Sequence, residues 1–114
     1  MNIKRGEIYL AILDPVVGKE ISKTRPVVII SNDKNNEFSG TVTILPITSK
    51  NLQKTYPFEV FLPERSGNLP KNSKVKADQI RTLDKGRIVT FLGKLEKEKM
   101  DQIEKAIKIH LALS

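Results

Sequence analysis

In this chain of 114 residues, three short stretches set reactive polar groups at the ends of apolar segments. Thr24-Arg25 precedes the apolar run Pro26–Ser31. Thr48-Ser49-Lys50 closes Thr41–Ile47, and Lys74, Lys76, Asp78, Gln79 and Arg81 fall between Ser73 and Asp84. If the three segments lie side by side, these ends form one basic, hydroxyl-bearing cleft. Such a set suits cleavage of RNA by its own 2′-hydroxyl. That reaction needs a base for the hydroxyl, stabilisation of the charge that builds on the phosphate, and a proton for the leaving 5′-oxygen. Arg25 fits the second task, because a guanidinium stays charged and grips phosphate oxygens in pairs. Its high pKa makes proton donation a secondary role. Thr48 can hydrogen-bond the same phosphate, Asp78 can orient or deprotonate the 2′-hydroxyl, and Lys76 adds to the positive field. Composition and spacing alone also leave plainer readings standing. An Arg before a strand is ordinarily a surface charge, a Thr at a strand end a turn residue, and a Lys–Asp pair an exposed ion pair worth under ~1 kcal/mol.

Other chemistries lack parts. The single histidine, His110, excludes catalysis by a histidine pair, and with no cysteine there is no thiolate, disulfide or zinc site. The glycines are scattered, with no phosphate-cradling run. Asp14, Asp33, Asp78, Asp84 and Asp101 share no spacing typical of a magnesium site. Twenty Lys and Arg against thirteen Asp and Glu give a formal charge of +7, which favours polyanionic partners and equally suits a solubilising surface. With few aromatics and no Trp, an extended base-stacking platform is not expected. The length fits one domain, 1–114. No apolar h-region follows Met1, and no apolar run approaches the roughly 20 residues of a membrane span.

The elements that must position these groups are mostly strands. Glu7–Leu13 is apolar on both faces, as in a strand within a compact barrel. Val16–Thr24 is a loop. Pro26–Ser31 is the clearest buried strand, its proline at the first position. Asn32–Gly40 reads as a polar turn region. Thr41–Ile47 is a strand whose Pro46 suggests a bulge or an edge. Further strands are expected at Pro57–Leu62, Ser73–Ile80 and Ile88–Leu95, with a long loop at Pro63–Asn72. Helical spacing of Met100, Ile103, Ile107 and Leu111 predicts a helix over Lys97–Leu113. Its apolar last turns predict deep packing or a subunit contact, and Pro26–Ser31 is a second candidate interface. Several short strands followed by one helix describe a small, mainly β barrel.

The order of motifs along the chain closely resembles the MazF/PemK (Kid-type) toxin family. The matching stretches are Lys4-Arg5-Gly6-Glu7-Ile8-Tyr9-Leu10, Leu13-Asp14-Pro15-Val16-Val17-Gly18-Lys19-Glu20 and Thr24-Arg25-Pro26-Val27-Val28-Ile29-Ile30-Ser31-Asn32-Asp33. Pro46-Ile47-Thr48-Ser49, Asp78-Gln79-Ile80-Arg81-Thr82-Leu83-Asp84 and the ending Ile109-His110-Leu111-Ala112-Leu113 follow. The resemblance implies an SH3-like β-barrel of the MazF/CcdB type with a C-terminal helix, forming a homodimer, while the absence of cysteine suits a cytoplasmic protein. It implies cleavage of single-stranded RNA (mRNA) at short motifs without metal or cofactor, and an acidic antitoxin that blocks the RNA groove. The family's principal catalytic Arg falls on Arg25 and its Thr on Thr48. An Arg-x-Asp pair of some members reads Lys76-Ala77-Asp78 here, so the Asp is kept and Lys replaces Arg. Around these catalytic positions, Glu20 would shape the cleft, Gln79 would read a base edge, and Lys19, Ser49, Lys50, Lys76 and Arg81 would complete the RNA-binding surface. The target motif depends on the loops Val16–Thr24 and Lys50–Tyr56. Two alternatives remain open at this point. One is a CcdB-like gyrase poison, which would carry a C-terminal Trp that this chain lacks. The other is a barrel that binds RNA without cutting it.

Overall fold

Three antiparallel strands carry the alternation that decides where everything else packs: β1 (Glu7–Ile12), β2 (Thr24–Ile29) and β3 (Thr41–Thr48). The structure, a computed structural model, describes residues 2–114. Around these strands lie β4 (Glu59–Leu62), β5 (Ser73–Lys76), β6 (Arg81–Asp84) and β7 (Ile88–Lys94), with helices α1 (Asp33–Phe38) and α2 (Lys97–His110). The sheet runs β4-β5-β3-β2-β1-β7, and β6 also pairs with β3. Among the described residues no ladder joins β7 back to β4 or β6. The fold is barrel-like, and its hydrogen-bonded path stays open.

Successive side chains on a strand point to opposite faces, so β1, β2 and β3, each apolar on both faces through its middle, feed two cores. On one face Ile8, Val28, Leu45 and Ile47 meet Val60 and Leu62 of β4, Val75 of β5, and Met100, Ile103 and Ala106 of α2. On the other, Tyr9, Ala11, Val27, Ile29, Val42 and Ile44 pack with Leu83 of β6 and Ile88 of β7. Full burial of an aliphatic side chain of this size stabilises by about 1.5–3 kcal/mol. The two cores therefore hold β2 and β3, and whatever stands at their ends, in a fixed geometry. β2 is covered on both faces, so it is not a free interface. The helix ends at His110 rather than Leu113, and Ile109, Leu111 and Leu113 are exposed rather than deeply packed.

Two prolines sit inside strands for one shared reason. Pro26 is the third residue of β2 rather than its first, and pairs with Leu10 of β1 where the β3 ladder has not yet begun. Pro46 is neither a bulge nor at an edge. It pairs with Val27 on one side, and on the other it falls between the β6 ladder, which ends at Ile44, and the β5 ladder, which begins at Ile47. Each proline thus occupies a site with a strand partner on one side only, where a missing N–H can be accommodated. The segment expected as one strand, Ser73–Ile80, is β5 followed by a 3₁₀ turn at Ala77–Gln79, after which the chain enters β6. The polar stretch after Ser31 contains α1, capped by the Asn32 side chain, which accepts from Asn35 N at 2.8 Å. Elsewhere β7 passes so close to the loop after β4 that a Cβ on Gly93 would lie 2.4 Å from the Gly67 carbonyl oxygen.

Candidate active site

The three segments expected to be neighbours are neighbours: β2, β3 and β5 lie in that order. Arg25 is the second residue of β2 and stands opposite Ala11 of β1. Thr48 is the last residue of β3, opposite Lys74 of β5. The pairs Val27–Pro46, Val28–Leu45 and Ile29–Ile44 fix the β2–β3 register, and its continuation sets Arg25 across from Thr48. Both residues share the alternation of Val27, Ile29 and Ile44, so they stand on the same face. The Arg25 Nε donates to the Ser22 carbonyl at 3.1 Å, which orients the side chain and leaves the two terminal nitrogens as a fork. The Thr48 hydroxyl accepts from Lys50 N at 3.1 Å and keeps its own hydrogen to donate. Ser49 borders a hollow of about 180 Å³ together with Arg25, and Lys50 is exposed just beyond.

That same face carries a cleft of about 390 Å³ whose floor includes Ile44 and Pro46. Thr48 lies two residues further along β3, roughly 7 Å from Pro46 at the usual strand rise. Lys19 and Glu20 line the cleft from the loop between β1 and β2, Asp78 and Gln79 from the turn after β5, and Arg81 from the start of β6. The loop is braced: Glu20 Oε1 accepts from Val17 N at 2.6 Å, and Gln79 Oε1 accepts from Ile21 N at 2.8 Å. Gln79 was expected to read a base edge, but its oxygen is thus engaged in clamping the loop, which leaves the amide nitrogen for that task. The buried Asp78 Oδ1 accepts no hydrogen bond among the described residues, and its nearest cation is Lys76 Nζ at 3.8 Å. No three carboxylate, cysteine or histidine side chains among the described residues converge to hold a metal ion.

Lys76 does not line the cleft. Its ammonium lies 2.8 Å from Glu59 Oε2, directly across the β4–β5 pair. Glu59 also holds Lys74, at 3.1 Å from Oε1, and accepts from Tyr56 N at 3.1 Å. The side chains of Glu59 and Lys74 are 1% and 4% exposed. Burial pushes the Glu59 carboxyl up, but hydrogen bonds from Lys76, the Tyr56 amide and Lys74 together hold it below the usual carboxylate range. Glu59 escapes sequence reasoning because a charged residue among apolar ones in a short strand reads as solvent-facing. The available signal is the acid on one strand facing two alternating lysines, Lys74 and Lys76, on another.

The chain matches, over residues 4–111, the family described as PemK-like, MazF-like toxin of type II toxin-antitoxin system. It is 36% identical to the endoribonuclease MazF9 of Mycobacterium tuberculosis, over 97% of this chain and 98% of that protein. It is 38% identical to the endoribonuclease EndoA of Bacillus subtilis, over 99% and 97% of the two chains. Among solved structures it is similar to MazF of Deinococcus radiodurans, with a TM-score of 0.85, 26% identity and 99% of each chain covered. A mycobacterial endoribonuclease in complex with its cognate antitoxin gives a TM-score of 0.81 at 26% identity, covering 98% of this chain and 97% of that one. From β1 to the end of α2, this chain belongs to the PemK-like, MazF-like toxin family of type II toxin–antitoxin systems.

Proposed function

We propose that this protein is the toxin of a type II toxin–antitoxin pair, an endoribonuclease that cuts single-stranded RNA through attack of the 2′-hydroxyl and thereby stops translation. The observation that supports it is the β2–β3 register, whose continuation beyond Val27–Pro46 brings Arg25 opposite Thr48 at the margin of a cleft that neither residue lines. The Arg25 fork and the Thr48 hydroxyl bracket the scissile phosphate. Asp78, which lines the cleft with its side chain 29% exposed, takes the 2′-hydroxyl proton as the 2′-oxygen bonds to phosphorus. The phosphorus–5′-oxygen bond then breaks, and the departing oxygen takes a proton from water or from Arg25, leaving a 2′,3′-cyclic phosphate and a 5′-hydroxyl. Charge builds on the non-bridging oxygens in the transition state, where fixed cationic donors contribute most. Lys19, Ser49, Lys50 and Arg81 hold the flanking strand, and Gln79 and Glu20 shape the cleft that meets its bases. Lys76 stands outside the cleft, paired with Glu59 at 2.8 Å and 3.8 Å from Asp78. No step requires a metal.

An acidic antitoxin complements the charge of +7 and competes for the same groove. The similarity to an endoribonuclease solved in complex with its cognate antitoxin supports this partner. The exposed Ile109, Leu111 and Leu113 at the end of α2 supply an apolar surface for a homodimer. No helix among the described residues is long and apolar enough to cross a membrane, and an enzyme acting on mRNA works in the cytoplasm. The test is incubation with single-stranded RNA in EDTA followed by sequencing of the ends. Discrete fragments are expected, and Arg25→Ala should slow cleavage by about 100-fold or more without unfolding the protein. Full activity in that variant would sink the assignment.

A further inference from the structure

The loop over residues 49–58, between β3 and β4, carries Ser49 and Lys50 of the proposed RNA surface and is anchored from beneath. The Lys74 ammonium reaches it from β5, donating to the Asn51 carbonyl at 2.7 Å and the Lys54 carbonyl at 3.3 Å, with Glu59 Oε1 at 3.1 Å. These three acceptors use all three of its N–H groups. Glu59 in turn accepts from Tyr56 N, inside the same loop, and holds Lys76, whose ammonium faces Asp78. One chain of contacts therefore runs from the loop backbone, through Lys74, Glu59 and Lys76, to the carboxylate at the cleft. Isolated lysine and glutamate side chains are rarely buried, because removing their charge from water is costly. Here both are buried, and the charge is spent on fixing backbone carbonyls of a loop that makes no ladder of its own. Arg25, by contrast, stands on β2 opposite Ala11 of β1, outside this network, whereas Thr48 pairs with the Lys74 backbone, which a side-chain substitution leaves in place.

We propose that Glu59 and Lys74 are positioning residues that hold the 49–58 loop in its RNA-binding shape and so set which RNA sequence the site accepts. The inference rests on the endoribonuclease reading above. Its test is a comparison of wild type, Lys74→Met and the double variant Glu59→Gln/Lys74→Met. RNA ends generated from a random-sequence pool are sequenced, and kcat and KM are measured on one cleavable oligonucleotide. Releasing the loop should raise KM by about tenfold, the scale of one lost charged hydrogen bond, and broaden the cleavage motif. In Lys74→Met, which keeps Glu59 paired with Lys76 beside Asp78, kcat should stay within about threefold of wild type, a split that marks loss of binding rather than of transition-state contacts. If Lys74→Met alone does not fold, the double variant decides, since a neutral amide at position 59 then meets Lys76 and no buried anion is left unpaired. Wild-type motif and KM in the folded variants would overturn the proposal. A wild-type protein that cuts no RNA would instead overturn the endoribonuclease reading, and the inference with it.

Discussion

Glu59→Gln is the substitution whose cost the geometry fixes most tightly. The side chain is 1% exposed and lies within hydrogen-bond distance of three donors: Lys74 Nζ at 3.1 Å, Lys76 Nζ at 2.8 Å and Tyr56 N at 3.1 Å. Glutamine keeps the shape and one acceptor but removes the anion paired with Lys74, which is itself 4% exposed. Removing one partner of a buried pair and stranding the other costs about 3–5 kcal/mol. That is a large share of the roughly 5–15 kcal/mol that stabilises a domain of this size. At about 4 °C per kcal/mol, the melting temperature should fall by about 12–20 °C. The pH dependence supplies a second readout. The folded-state pKa of Glu59 lies below the ordinary value, so its stabilisation is fully present above the unfolded pKa of about 4.3 and is lost as pH falls through the folded value. Thermal unfolding followed by circular dichroism from neutral pH down to about pH 3 should show the two curves converging as Glu59 protonates. Adding Lys74→Met should recover much of the loss, because the stranded cation is then gone. A Glu59→Gln variant within about 1 kcal/mol of wild type at neutral pH would refute the reasoning, since that is the worth of a solvated pair.

Arg25→Lys keeps the charge but loses the fork. Cleavage should fall by about 10- to 100-fold, between wild type and the alanine variant, with the protein's melting temperature nearly unchanged. Lys19→Ala should weaken RNA binding across sequences and lower the slope of log affinity against log salt by about 0.7, the contribution of one phosphate contact on a single strand, measured by fluorescence anisotropy. Gly93→Ala has no room, because the new methyl would press on the backbone at Gly67. A loss of about 1–3 kcal/mol in denaturant unfolding is expected.

How much of this was legible from residues alone depended on whether an element carried its own periodicity. β1, β2 and α2 did, through runs of alternating, β-branched or helically spaced apolar residues, and they stand within a few residues of their expected bounds. α1 has almost no apolar face, so only its cap, Asn32 followed by Asp33, announces it. β6 contributes one buried residue, Leu83, and a single apolar position cannot show a period. Arg25 and Thr48 were recognisable through the motifs around them, whereas their opposition depends on the pairing of β2 with β3. Lys76 was expected at the phosphate and is instead turned toward Glu59. That difference follows from cross-strand register, which places Glu59 opposite Lys76 and which no local pattern encodes.

The change of partner along β3 at Pro46 bears on how the molecule opens. β5 joins β3 through only two residue pairs, Ile47–Val75 and Thr48–Lys74, and β4 reaches the rest of the sheet through β5 alone. The β4–β5 ribbon is therefore a natural unit of sub-global unfolding, able to swing away while β1 and β2, ladder-bonded on both sides, stay closed. In native-state hydrogen exchange its amides should form a cooperative group of lower opening free energy than those of β1 and β2. The buried Lys74–Glu59–Lys76 set straddles β4 and β5 and ties them to the loop that follows β3. It thereby acts as a latch on that ribbon, and the frequency of opening depends on this charge network together with the burial of Val60, Leu62 and Val75 against α2.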